Sequence, residues 1–260
     1  MAGAGGVGED TVAEGGPRVA MKILDDLLST LDFEVEVKDI RQGPFQTAVV
    51  TRHCGLASTP HDHGNHQHHA PVREAGTLMA KSALELAQMA YSLSLFEAAI
   101  GMAAINSLVE VDEKRCLKLN AGDLLAEKGK GKPVALIGHF PFVSKLRRVV
   151  KELWVIEQHP REGDFPESEA ENLVPQADVV GITGTAFTNH TIEGLLSLCR
   201  RDAYVVILGG TTPLSPVLFD YGVDAISGTR VVDSEAVLRS VSQGATFRQL
   251  AGVQLLTMEK

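Results

Sequence analysis

The stretch VVGITGTAFTNHTIEGLL, Val179 to Leu196, decides the fold. Its first residues are apolar and β-branched, as in a strand with both sheet faces covered, and its middle is a Gly/Thr-rich turn whose small residues let a backbone approach a ligand closely. Ile192, Leu195, Leu196 and Cys199 then recur at helical spacing on one face. Asn189 is placed to cap that helix and Glu193 falls in its first turn, so the unit reads strand, turn, helix. A turn of this kind at a helix start receives an anion or a polar ligand.

The alternation continues on both sides of this stretch. Strands are predicted at Pro133–Ile137, Leu153–Ile156, Asp178–Ile182, Ala203–Leu208 and Asp224–Ile226. Helices are predicted at Val143–Val150, Ser168–Leu173, His190–Arg200, Ser215–Asp220 and Ser234–Ser242. Parallel neighbours need a crossover, so repeated β-α units of this length imply a parallel sheet with helices on both faces. The fold class is α/β, with residues 116–260 forming a Rossmann-like parallel-sheet domain. Ligands of such sheets bind beyond the carboxyl ends of the strands.

The first half, 21–115, has a different pattern. A helix is predicted over Met21–Leu31, followed by a strand-like alternation at Phe33, Val35 and Val37, a turn at Gln42-Gly43-Pro44, and a strand at Gln46–Arg52 that continues through His53–Ala57 as a third strand or as an extension, a small antiparallel meander. Helical spacing returns from Thr77. Ser94 with Glu97 reads as a capping box for a helix over Leu95–Val109 that is apolar nearly all round. Asn106 is the odd polar residue there, either satisfying backbone groups or, if the helix end faces a cleft, touching a ligand. This half is a small α+β domain. A short helix ended by Gly129 follows the charged connector at 112–115, and residues 1–20, rich in Gly, Ala and acidic side chains, read as a flexible tail.

Composition narrows the partners. With 24 Lys+Arg against 33 Asp+Glu the net charge is -9, and the longest basic cluster is Lys145–Lys151, so nucleic acid is not expected. The longest strongly apolar run, Ala98–Ile105, is far below the roughly 20 residues that span a bilayer. Cys54, Cys116 and Cys199 are odd in number and widely spaced, which points to a reducing compartment, the cytoplasm, and away from a disulfide framework. A small-molecule or metal ligand is the expected partner, with room for a homo-oligomer.

Candidate site residues come from the loops after the strands. Gly138-His139-Phe140 follows the first strand; it is not a dinucleotide fingerprint, and Pro141 stiffens it. His139 is the general acid/base candidate and Glu157 its carboxylate companion. Glu157 also stands 19 residues after Gly138, close to the spacing of a ribose-holding acid in a nucleotide-type cofactor site, although a solvated Glu ends many strands. Thr183, Gly184, Thr185 and Asn189 belong to the third loop, Gly209, Gly210 and Thr211 to the fourth, and Gly228 to a fifth at Ser227–Arg230. Three such loops at one sheet edge offer N–H groups and hydroxyls to a polar or anionic ligand.

His61, His63, His66, His68 and His69 crowd beside Asp62, and with His53 they make six of the nine histidines. Imidazole suits Ni, Zn, Cu or Co, and the loose spacing reads as a metal-binding mobile loop and not a fixed cage, or else as a solvated polar loop.

The segments TAVV and GLA (Thr47–Val50, Gly55–Ala57), LFEAAIGMAAIN (Leu95–Asn106), VALIGHFPF (Val134–Phe142), ADVVGITGTAFTNHTIEGLL (Ala177–Leu196) and VVILGGTTPLSPVLFDYGVDAISGTRVVD (Val205–Asp233) resemble the putative heavy-metal chelation family. The resemblance implies an enolase N-terminal-like domain followed by a Rossmann-like domain, with a ligand cleft between them. The His-rich tract lies outside the family pattern. Two function classes follow: metal chelation or metal homeostasis, and a methyltransferase-related enzyme acting on a pterin-, flavin- or siderophore-like molecule. A scaffold or regulatory binding module is the third.

Overall fold

The computed structural model describes residues 20–60 and 71–260. The first half opens with helix α1 (Lys22–Ser29), whose Ile23, Leu24 and Leu27 are buried. The alternating Phe33, Val35 and Val37 do not form the expected strand. Val35 N–H donates to the Phe33 carbonyl at 2.8 Å, closing a tight turn while Val37 still packs into the core.

Three antiparallel strands follow in the order β1-β2-β3 (Asp39–Gln42, Gln46–Val50, Cys54–Ser58): β2 and β3 fall on the stretches expected as strands, whereas β1 forms after the expected position. The apolar run from Thr77 is broken because Ser82 and Glu85 form a full capping box that starts α2 afresh at Ala83–Gln88. Helix α3 (Leu95–Leu108) is buried on almost every side. Its small residues allow this: a Cβ on Gly101 would sit 1.9 Å from Ala90 N, and one on Gly55 in β3 would sit 2.1 Å from the Ala103 carbonyl oxygen.

Only half of the Ser94–Glu97 capping box forms. Ser94 Oγ accepts from Glu97 N–H, but the Glu97 carboxylate, 2% exposed, turns instead to Arg73 and Ser92.

The second half holds an eight-stranded sheet. In chain order its elements are β4 (Cys116–Leu117), α4 (Ala121–Lys128), β5 (Pro133–Ile137), α5 (Val143–Leu146), β6 (Glu152–Glu157), β7 (Phe165–Pro166), α6 (Ala170–Leu173) and β8 (Val179–Thr183). After these come α7 (Thr185–Thr188), α8 (Ile192–Leu198), β9 (Tyr204–Leu208), β10 (Ala225–Val231), α9 (Ser234–Ser242) and β11 (Val253–Glu259). The sheet order is β4-β11-β10-β9-β8-β5-β6-β7. The five expected strands are mutually parallel, in the order second, first, third, fourth, fifth. This is the flavodoxin-like doubly wound order, and its switch point lies between β5 and β8.

Three local expectations are corrected. Helix α5 stops at Leu146 because the chain beyond is drawn into a bridge: Gly131 N–H donates to the Val149 carbonyl and Lys151 N–H to that of Lys132. Residues 215–220 form a 3-10 helix, Pro216–Tyr221, ended by Gly222 at φ 82. Ser227–Arg230 is not a loop, since β11 pairs antiparallel with β10 and carries that strand on to Val231.

The halves share one core cluster running from Met21 to Met258. Polar ties reinforce it: Ile23 N–H donates to Glu193 Oε1 at 2.7 Å, Tyr221 OH to Asp26 Oδ2 at 2.5 Å, and His190 Nε2 lies 2.8 Å from the Ala90 carbonyl oxygen. All three cysteines are free. Among the described residues no helix is long and apolar enough to cross a membrane.

Candidate functional site

The deciding stretch folds as β8, a single helical turn α7, a left-handed His190 at φ 61, and then α8. Asn189 therefore does not cap α8 as expected. It ends α7, and its Oδ1 accepts from the Thr191 hydroxyl at 2.8 Å, while Thr191 takes the N-cap position.

Two cavities open at the carboxyl edge of the sheet. The larger, about 900 Å³, is lined by Phe140, Thr183, Gly184, Thr185, Gly209, Gly210, Thr211 and Gly228 among others. The smaller, about 250 Å³, is lined by Gly138, His139, Phe140, Glu157, Thr183, Thr185 and Asn189. Phe140, Thr183 and Thr185 form the shared wall, and they stand just beyond β5 and β8, at the switch point. The structure thus divides the expected site residues between two compartments. The first half contributes Ser58 to the lining of the larger one.

His139 and Glu157 do not form the expected side-chain pair. Glu157 Oε1 accepts the backbone N–H of His139 at 2.5 Å, which fixes the loop. The ring nitrogen Nδ1 lies 2.9 Å from Oδ2 of Asp164, whose side chain is 1% exposed. Arg161 N–H donates to the same oxygen. A carboxylate held this way orients the imidazole and occupies Nδ1, which leaves Nε2 as the ring nitrogen for a ligand. Asp164 was not legible in the sequence: it follows Gly163, at φ 84, in a charged connector with the look of an ordinary turn.

Several glycines are required by packing. A Cβ on Gly184 would meet Thr212 Oγ1 at 2.5 Å, one on Gly228 would meet Leu214 Cγ at 2.8 Å, and one on Gly181 would meet Leu136 Cδ1 at 2.8 Å. Gly138 and Gly209 instead supply positive φ, 106 and 119, which lets their loops turn over the strand ends. Thr211 is tied up as well: its hydroxyl accepts Ser58 N–H at 2.9 Å, and its carbonyl accepts from Asn106 Nδ2 at 3.0 Å. Asn106 Nδ2 also reaches the Leu56 carbonyl oxygen, so its role is to satisfy backbone across the halves.

Three phenylalanines stand among the remaining wall residues. Phe140 and Phe142 stack with centroids 5.2 Å apart, and Phe247 borders the same cleft. Lys145, paired with Asp123 at 2.6 Å, and Arg248 stand among the lining residues.

His61, His63, His66, His68 and His69 lie outside the described residues. Among the described residues no three His, Cys, Asp or Glu side chains converge on a point that would hold a metal ion.

Comparison with known proteins bears on this arrangement. Residues 120–259 match the DUF364 family model, described as putative heavy-metal chelation, and residues 24–109 match DUF4213, described in the same words. The chain belongs to the DUF364 family. A DUF364 protein of unknown function from Desulfitobacterium hafniense DCB-2 has a crystal structure similar to this one, with a TM-score of 0.80 and 26% identity over 92% of this chain and 98% of its own. A DUF364 protein from Pyrococcus horikoshii, at 21% identity, shares the fold with a TM-score of 0.79 over 92% of this chain and 100% of its own. The uncharacterized protein MJ0500 of Methanocaldococcus jannaschii is 27% identical over 170 residues, 61% of this chain, and the match spans 64% of MJ0500. The α/β class and the family resemblance read from the sequence agree with these DUF364 relatives.

Proposed function

We propose that this DUF364 protein binds a transition metal as a chelate, an ion already carried by a small organic molecule. The larger cleft takes the organic part, and His139 offers Nε2 to the metal from the smaller compartment. The metal is cargo in this reading, and Ni, Zn, Cu and Co all suit an imidazole donor. The family description supports the metal, and one observation carries the rest. Two compartments share the Phe140, Thr183 and Thr185 wall, one roomy and bordered by Phe140, Phe142 and Phe247, the other holding an imidazole braced by a buried carboxylate. Cavities of several hundred Å³ suit small organic ligands. The first half takes part by placing Ser58 at the rim and by holding the Thr211 loop through Asn106.

The test is calorimetric titration of the full chain with Ni²⁺, Zn²⁺, Cu²⁺ and Co²⁺, each as the free ion and as its nitrilotriacetate complex. His139→Ala abolishes binding of the complex. A variant with His61, His63, His66, His68 and His69 changed to Gln retains it. Absence of binding in every arm, or binding that follows the five histidines alone, overturns the reading.

A second reading, a methyltransferase-related enzyme with a nucleotide-type cofactor, rests on Glu157 at the end of β6 beside Gly138. Thermal stabilisation that grows with S-adenosylmethionine, ATP or NAD concentration supports it, and no shift with any of the three contradicts it.

A further inference from the structure

The larger cleft has a more specific shape than its volume conveys. Three of the nine phenylalanines of the chain, Phe140, Phe142 and Phe247, line it and are only partly buried. Two of them flank a bare peptide floor. A Cβ on Gly210 would lie 2.8 Å from Phe247 Cε2, and one on Gly209 would lie 4.0 Å from Phe140 Cε1. Phe247 thus packs directly on Gly210, Phe140 lies beside Gly209, and neither glycine carries a side chain.

The rings are held from behind. Phe142 stacks on Phe140 at an interplanar angle of 14° and packs against Gly122 in α4, where a Cβ would come within 2.7 Å of its ring. Phe247 sits in a 3-10 turn, Phe247–Gln249, closed by a full Thr246–Gln249 capping box. Partly exposed rings beside a glycine pair suit a flat ring, because offset aromatic stacking gains beyond area burial.

Polar groups add a sign and an edge. The charged residues of the lining are Lys145, Arg248 and Asp123, two cations against one anion in a chain of net charge -9. Asp123 is spent on Lys145, whereas Arg248, next to Phe247, has no ion-pair or hydrogen-bond partner among the described residues. Thr229 lines the cleft as well, and its buried hydroxyl has no hydrogen-bond partner among the described residues, as a group awaiting a ligand or a water has none.

We infer that the organic part of the ligand is a planar aromatic ring bearing a carboxylate, slotted between Phe140 and Phe247 over Gly209–Gly210 with its carboxylate on Arg248. This rests on the reading that the cleft holds the organic part of a metal chelate.

The experiment is calorimetry on the full chain with metal-free probes: pyridine-2,6-dicarboxylate, pterin-6-carboxylate, and cyclohexane-1,3-dicarboxylate as the non-aromatic control. Both aromatic carboxylates bind, and the control binds at least tenfold more weakly. Phe247→Leu weakens both by about tenfold or more, the scale of one lost stacking contact. Phe140→Leu provides the same readout should Phe247→Leu fail to fold. Arg248→Gln weakens pterin-6-carboxylate but not pterin itself. Equal binding of aromatic and non-aromatic probes, or binding indifferent to both Phe variants, overturns the inference. If the nickel nitrilotriacetate complex binds through His139 while the aromatic probes do not, the slot is wrong and the chelate reading stands. If the aromatic probes bind and no metal complex does, the reverse holds.

Discussion

Nδ1 of His139 and Oδ2 of Asp164 are 2.9 Å apart, joining a loop at the end of β5 to a buried carboxylate 25 residues further along the chain. In this account His139 is the metal-facing residue and Asp164 a positioning residue that acts through it. Asp164→Asn preserves size but removes the charge that fixes the tautomer. Loss of such an outer partner lowers metal affinity by about 10- to 100-fold. Calorimetry with the nickel nitrilotriacetate complex checks this, and Asp164→Glu recovers part of the loss if the role is positional.

Gly184 sits where β8 meets the loop after β9. Gly184→Ala drives a methyl to within 2.6 Å of Thr212 N, a backbone atom that cannot swing away. Overpacking of this kind costs about 1–3 kcal/mol. Denaturant unfolding shows a lower midpoint at unchanged slope.

Asn106 bridges the Leu56 and Thr211 carbonyl oxygens, at 2.8 and 3.0 Å. Asn106→Ala leaves both without that donor in a buried setting, a loss of about 1–3 kcal/mol. Hydrogen exchange measures a second consequence: the Ser58 amide, which donates to Thr211 Oγ1, exchanges faster as the loop loosens.

Glu97 gives the acid limb of stability. Burial alone would raise its carboxyl, but hydrogen bonds from Arg73 and Ser92 outweigh that and hold it below the ordinary value of 4.5. A depressed folded value means the unfolded chain binds the proton more readily. The contribution is therefore complete above about pH 4.5 and is lost as pH falls through the lower folded value. Glu97→Gln flattens the fall in stability below pH 4.5 relative to wild type, as followed by urea unfolding at stepped pH.

Much of this was legible from local pattern. The strand at Pro133–Ile137 and the helix at Ser234–Ser242 have the bounds expected from sequence, because their apolar spacing is a local signal. β11 was not read, and it changed the site, since its pairing turned the presumed loop around Gly228 into strand. Glycine type did not reveal glycine use: Gly184 and Gly228 relieve contacts with residues that only the fold brings near. Asp164 and Phe247 carry no sequence signal for the same reason. Each meets the site across a long sequence separation, and neither lies in a motif.

The most direct test of the central claim is pulsed electron paramagnetic resonance of a Cu²⁺ chelate bound to the chain in which His61, His63, His66, His68 and His69 are changed to Gln. The account predicts modulation from the remote nitrogen of a single imidazole, abolished by His139→Ala. Imidazole modulation that survives His139→Ala, or a bound chelate that shows none at all, contradicts it.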